Sequence, residues 1–88
     1  MRTRNDLKLR KLGNRYMIVE VSDKEVNLTR VFSLNGTAAW LWQQAEGREF
    51  TAEWLSGRLC EEYEVDAAQA REDVGRTLEE WQEMGLLE

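Results

Sequence analysis

The sequence changes from a strand pattern to a helix pattern over residues 34–42, which are Leu34-Asn35-Gly36-Thr37-Ala38-Ala39-Trp40-Leu41-Trp42. Asn35 has the chemistry of a helix N-cap, because its side-chain oxygen can accept from first-turn N–H groups that otherwise lack a partner. Leu34, just before it, can pack against Ala39 as a small hydrophobic staple. The preceding sequence is typical of short strands and the following sequence of helices, so we expect a sheet followed by a helical layer.

Three short strands are predicted before this junction. Residues 7–10 alternate apolar and basic side chains, residues 16–21 are rich in β-branched and apolar side chains, and residues 26–33 alternate again. Residues 13–14 and 22–25 have the composition of turns. The pattern predicts a three-stranded antiparallel sheet whose apolar face needs a cover of helices.

Three helices are predicted after the junction, at residues 36–46, 52–63 and 67–84. Thr51 and Asp66 are the expected caps of the second and third helices, and Asp66 with Gln69 forms a capping-box variant. Gly47 and Gly85 are expected helix stops, with Leu86 and Leu87 returning to the core. Apolar side chains at helical spacing define the buried faces. The expected core positions are Ala38, Leu41, Trp42 and Ala45, then Ala52, Leu55, Leu59 and Tyr63, then Ala70, Val74, Leu78 and Trp81.

Strands followed by three short helices indicate an α+β fold with the order of a winged-helix-like domain, placed here over residues 1–88 as one domain. Residues 1–14 lack the apolar core of a signal peptide, and no apolar run is long enough to cross a bilayer. We therefore predict a cytoplasmic location and no membrane partner.

The composition argues against catalysis within this chain. It contains no histidine, so neither a Ser-His-Asp nor a Cys-His arrangement can be assembled, and the commonest metal ligand is missing. Cys60 is the single cysteine, and none of the six glycines belongs to a phosphate-binding loop. We predict a binding protein with no catalytic residue, no metal and no cofactor.

Charge is distributed unevenly along the chain. Residues 1–33 carry eight Lys/Arg against four Asp/Glu, whereas residues 34–88 carry four against thirteen, so net charges of +4 and −9 sum to −5. The predicted third helix has six acids against two arginines over residues 66–84. Phosphates would repel such a recognition helix, which disfavours nucleic acid as the partner. A winged-helix nucleic-acid-binding or adaptor domain stays open as an alternative.

The predicted third strand, residues 26–33, is an expected open edge of the sheet. It contains no proline, no obvious bulge and a single charge, Arg30, so little in its sequence blocks pairing with another chain. An extended peptide could therefore add to it as a further strand. The alternative is a self-associating structural module in which this edge pairs with a copy of itself; we expect a monomer or weak dimer.

A family resemblance is carried by a set of positions between the junction and the last helix. They are Leu34-Asn35, Thr37-Ala38, Leu41-Trp42, Gly47, Thr51, Leu55, Leu59, Tyr63-Glu64-Val65-Asp66, Asp73-Val74, Leu78 and Gly85-Leu86-Leu87. In this combination the chain resembles the PqqD-like family, which includes the protein D component of pyrroloquinoline quinone biosynthesis. The family also covers domains that recognise leader peptides of ribosomally made, modified peptides. The resemblance spans roughly residues 15–88.

The resemblance implies a peptide-binding function for the third strand and the third helix. It implies a winged-helix-like domain in which a leader peptide adds to the third strand and lies in a cleft against the third helix. A radical SAM protein, a leader peptidase or another modifying enzyme would then act on that peptide. The residues expected to contact the peptide are Leu28, Thr29, Val31 and Phe32 of the strand, and Asp73, Arg76, Thr77 and Trp81 of the helix.

Overall fold

A computed structural model describes the backbone of residues 1–21 and 26–88, and the side chains of residues 1–20 and 32–88. The turn expected at residues 22–25 lies outside the described residues. The strands are β1 (Leu7–Leu12), β2 (Arg15–Val21) and β3 (Val26–Leu34), and the helices are α1 (Gly36–Ala45), α2 (Ala52–Tyr63) and α3 (Ala67–Glu83). This order confirms the predicted α+β class. Within the described residues, no helix is both long and apolar enough to cross a membrane.

The sheet is antiparallel with the strand order β1-β2-β3, so β2 is central and β3 lies at an edge. β1 and β2 form a hairpin whose register runs from Leu7 opposite Glu20 to Leu12 opposite Arg15. Gly13 turns the chain between them at a φ of +63°, a conformation that glycine adopts without steric cost. Alternation along the hairpin buries Leu7 and Ile18 beneath the helices.

Side-chain caps begin all three helices, as predicted. Asn35 accepts from the backbone N–H of Ala38 at 2.8 Å, and Thr51 accepts from that of Trp54 at 3.0 Å. Asp66 accepts from the Gln69 N–H at 2.8 Å, and the Gln69 Nε2 donates to Asp73 at 2.9 Å. The reciprocal half of the predicted capping box, in which the Gln69 side-chain oxygen would accept from the Asp66 N–H, is not formed among the described residues.

The core is built around two tryptophans that meet edge to face. Trp42 and Trp81 lie 5.2 Å apart between ring centroids at an interplanar angle of 74°, and both are almost fully buried. Such aromatic pairs add to the stabilisation from burial alone. The buried side chains packed with them come from β1, β2, the three helices and the segments after α1 and α3, and partly buried side chains of β3 pack against this cluster. The buried cluster is Leu7, Ile18, Leu41, Trp42, Ala45, Phe50, Leu55, Leu59, Ala70, Val74, Leu78, Trp81 and Leu86.

Two predicted core positions lie outside the core, and a third, Ala52, is only half-buried although it packs against the core. Ala39 is buried in α1, whereas Ala38 is only half-buried. Tyr63, at the last turn of α2, is 45% exposed and packs edge-on against the half-buried Trp40 with centroids 5.3 Å apart. Helical spacing identifies the apolar face of a helix, but it does not show how far the neighbouring elements extend along that face. In α2 the packed part of the apolar face ends before Tyr63.

The two ends of the chain pair with each other. Gly85 ends α3 at a φ of +76°, which allows the Leu86 N–H to reach the Trp81 carbonyl at 2.8 Å and places Leu86 in the core. The Arg4 N–H then donates to the Leu86 carbonyl at 3.0 Å, and the Arg4 guanidinium donates to Gly85 and Asp6. These long-range bonds hold the C-terminal residues against the start of the sheet.

Removing the cap of α1 is expected to lower the stability of the whole domain. The Asn35→Ala variant should lose about 1 kcal/mol of the free energy of unfolding, because a first-turn N–H loses its partner. Asn35→Ser, which keeps an acceptor, should lose a few tenths at most (about 0.3 kcal/mol). Urea denaturation followed by far-UV circular dichroism measures both, and equal losses in the two variants would contradict the role of the cap.

Candidate functional site

The candidate site begins at the edge strand. β3 pairs with β2 on one side, and no strand of the described residues pairs with its other side. Phe32 is half-buried and packs against the core, while Ser33 is exposed. The side chains of Leu28, Thr29 and Val31, which the sequence predicted as peptide contacts, lie outside the described residues.

β3 is not regular along its whole length, which corrects the expectation that it has no bulge. Val19 of β2 lies opposite Val31, but the next residue, Glu20, lies opposite Asn27. Residues 28–30 are therefore extra residues on the β3 side, and irregularities of this kind bend a strand and interrupt its ladder. From residue 31 to 34 the register is continuous. Alternation of side chains did not reveal the shift, because the shift depends on the partner strand.

α3 places a row of polar side chains beside the end of β3. Asp73, Arg76, Thr77 and Glu80 are spaced at i, i+3, i+4 and i+7, so they lie on one face of the helix. This face and the first turns of α1 line an open groove of about 300 Å³. The α1 side of the groove consists of Asn35, Thr37, Ala38 and Leu41. The structure thus brings together three of the four predicted α3 residues, directly after the last residue of β3.

The charged groups of the groove are arranged around Asp73. Its Oδ1 accepts from Arg76 at 3.0 Å and from the Gln69 amide at 2.9 Å, and the carboxylate is one-third exposed. The Arg76 side chain is 63% exposed, so it remains accessible to a partner although it bonds Asp73. The hydroxyls of Thr37 and Thr77 make no hydrogen bond within the described part of the chain. The groove therefore offers several donors and acceptors to an extended peptide.

Trp81, the fourth predicted α3 residue, does not line the groove. Only 1% of its surface is exposed, because its ring packs on Trp42 in the core. Val74 and Leu78 are also buried, which agrees with the core positions assigned to them. An apolar residue one turn after Thr77 could lie on the groove face or on the core face of α3. Packing against Trp42 places Trp81 in the core.

The α1 side of the groove was not predicted as part of the site. The sequence predicted a helix start at Asn35 and Thr37, and the structure confirms it. Both residues also line the groove opposite α3. Asn35 and Thr37 could have been predicted as site residues because they follow the edge strand directly in the sequence. In the described part of the chain, no group of three or more His, Cys, Asp or Glu side chains is placed to hold a metal ion.

Comparison with known families decides which family this is. Residues 17–87 match the family described as coenzyme PQQ synthesis protein D. The chain belongs to the PqqD family. That match covers most of β2, all of β3 and all three helices, and so includes both sides of the groove.

A solved structure shares the PqqD-family fold seen here. It is described as TbiB1 in complex with the TbiA(beta) leader peptide, and it superposes with a TM-score of 0.76 at 19% sequence identity. The alignment covers 100% of this chain and 95% of that chain. Among curated protein sequences, none matches this chain significantly. The structural likeness establishes that the sheet-then-helices arrangement is shared from end to end.

Proposed function

We propose that this PqqD-family chain binds the leader segment of a ribosomally made precursor peptide. The observation that carries the proposal is the continuity between the edge strand and the groove. Residues 31–34 form the regular end of β3, and the chain passes directly into Asn35 and Thr37 opposite Asp73, Arg76 and Thr77. A peptide that follows β3 to its last residues would therefore reach the start of the groove. The TbiB1 fold, solved with a leader peptide, supports the same assignment.

Binding would proceed by strand addition to β3. Backbone hydrogen bonds to an edge strand provide affinity for any extended peptide, and side-chain pockets provide selectivity. We assign the strand contacts to Leu28, Thr29, Val31 and Phe32. The helix contacts are assigned to Asp73, Arg76 and Thr77, and burial removes Trp81 from this set.

The chain would then present the peptide to a separate enzyme rather than modify it. The described residues offer no metal cluster, and the sequence has no histidine to serve as a general base. The partner would be a radical SAM protein, a leader peptidase or another peptide-modifying enzyme. We place the activity in the cytoplasm, where precursor peptides are synthesised, and propose that the chain acts as a monomer or weak dimer.

The proposal can be tested with uniformly ¹⁵N-labelled protein and synthetic leader peptides encoded by short reading frames near its gene. Amide shifts are expected at residues 31–34 and around Asp73, Arg76 and Thr77. Arg76→Ala should weaken binding about tenfold, because an exposed guanidinium in the groove is lost. Arg71→Ala is the matched control, since Arg71 is an exposed arginine of the same helix that does not line the groove.

Two results would contradict this proposal. Equal binding by the Arg76 and Arg71 variants would remove the groove from the site. Amide shifts caused by duplex DNA, with no amide shift caused by any leader peptide, would favour the winged-helix alternative. The negative charge of α3 predicts that duplex DNA causes no shift.

A further inference from the structure

α3 contains a glycine that the fold does not require. Gly75 lies in the middle of the helix, where glycine is less stable than alanine because it has more conformational freedom to lose. A Cβ added at Gly75 would meet no atom within 4 Å, so no neighbouring side chain forces the small residue. Its φ is also not positive, so the backbone does not demand glycine. A helix surface without a side chain permits close approach by another molecule.

Gly75 lies in a second groove, which we call the Gly75 groove. Its volume is about 390 Å³, and its lining includes Gly75, Leu78, Glu79 and Gln82 of α3 with Leu87 and Glu88. Leu78 is nearly buried and Leu87 half-buried, so they form an apolar floor under exposed polar side chains. The groove can receive an apolar side chain of a partner beside the bare backbone of Gly75.

The Gly75 groove and the leader-binding groove lie on opposite sides of α3. With 3.6 residues per turn, Gly75, Glu79 and Gln82 point about 160° away from the row formed by Asp73 and Thr77. The buried face with Val74 lies between the two rows. A partner in the Gly75 groove would therefore leave the leader-binding groove open.

The exposed acidic side chains of the Gly75 groove favour a partner with basic residues. Glu79 and Glu88 are exposed acids on its rim. The ammonium of Met1 also lies there, but it already bonds Glu49 at 2.8 Å and the Phe50 carbonyl at 3.0 Å. A complementary segment would carry an apolar side chain flanked by Lys or Arg, and such rim charges chiefly speed association.

We propose that the Gly75 groove is the docking surface for the peptide-modifying enzyme, which would insert an apolar side chain flanked by basic residues. This inference rests on the proposed function, because it assigns the second partner of the same domain. It explains how one small domain could hold a leader peptide and an enzyme together, one on each side of α3.

The test uses the full chain, a leader peptide that it binds, and the purified peptide-modifying enzyme encoded nearest to its gene. Gly75→Leu should fill the groove and weaken enzyme binding by about tenfold or more, with leader affinity unchanged. Gly57→Leu is the matched control, because Gly57 is an exposed helical glycine of α2 with equally open surroundings outside this groove. Both affinities are measured by biolayer interferometry on the same immobilised variants.

Folding is controlled with a smaller substitution. Gly75→Ala should raise the urea midpoint, because alanine favours the helix and meets no neighbour; a lower midpoint would contradict the premise that the fold does not need this glycine. Enzyme binding that is equal in Gly75→Leu and Gly57→Leu, or absent from the wild-type chain, would overturn the docking proposal. Failure of the proposed function is a different result, because in that case no leader peptide binds.

Discussion

The Trp42→Ala variant is expected to lose about 3–5 kcal/mol of the free energy of unfolding. Trp42 is fully buried and packs edge-on against Trp81, so truncation removes a large apolar surface and leaves a cavity. A domain of this length is stabilised by roughly 4–13 kcal/mol in total, estimated at 0.05–0.15 kcal/mol per residue. The loss is therefore a large part of the total and should appear directly in urea denaturation followed by circular dichroism.

Two further tryptophan variants make this prediction specific. Trp40→Ala should cost clearly less, roughly 1–2 kcal/mol, because Trp40 is half-buried and packs on the exposed Tyr63. Trp42→Phe should recover much of the loss, since a ring remains against Trp81. It also removes an indole N–H that is buried without a partner among the described residues. Equal losses in the Trp40 and Trp42 alanine variants would contradict the central place of the Trp42–Trp81 pair.

Features fixed by local chemistry could be predicted from the sequence. The caps at Asn35, Thr51 and Asp66 need only a side-chain acceptor and a free N–H three residues on, and all three formed. The stop at Gly85 likewise needs only a left-handed residue at the helix end. The core face of α3 was also predicted fully, because its apolar period persists over the whole helix.

Features that depend on distant partners could not be predicted in this way. The register shift of β3 is a property of its pairing with β2, so the alternation of one strand does not contain it. The pairing of Arg4 with Leu86 joins the two ends of the chain, and no local pattern marks either residue. For the candidate site, the family resemblance implied Asp73, Arg76 and Thr77, which form one wall of the groove. The opposite wall at Asn35 and Thr37 required the packing of α1 on α3.

Methylation of single amide nitrogens in a bound leader peptide is expected to weaken binding at alternate positions. In an added strand, every second N–H of the peptide points toward β3, and the N–H groups between point away. Methylation of a bonded nitrogen removes a donor and leaves a β3 acceptor unsatisfied, so each such position should lose about tenfold to hundredfold in affinity. The intervening positions should change little and are the matched control, because the same methyl group alters the free peptide in a similar way.

The structure also predicts where this alternation ends. Residues 31–34 of β3 keep a continuous register with β2, whereas residues 28–30 are extra residues relative to β2. Regular pairing of the peptide should therefore extend over the stretch opposite 31–34 and be interrupted beyond it, since a bulge breaks the ladder. Isothermal titration calorimetry of the methylated series measures both effects. A uniform loss at all positions, or none at any, would exclude strand addition and leave the groove between α1 and α3 to bind the peptide through side chains alone.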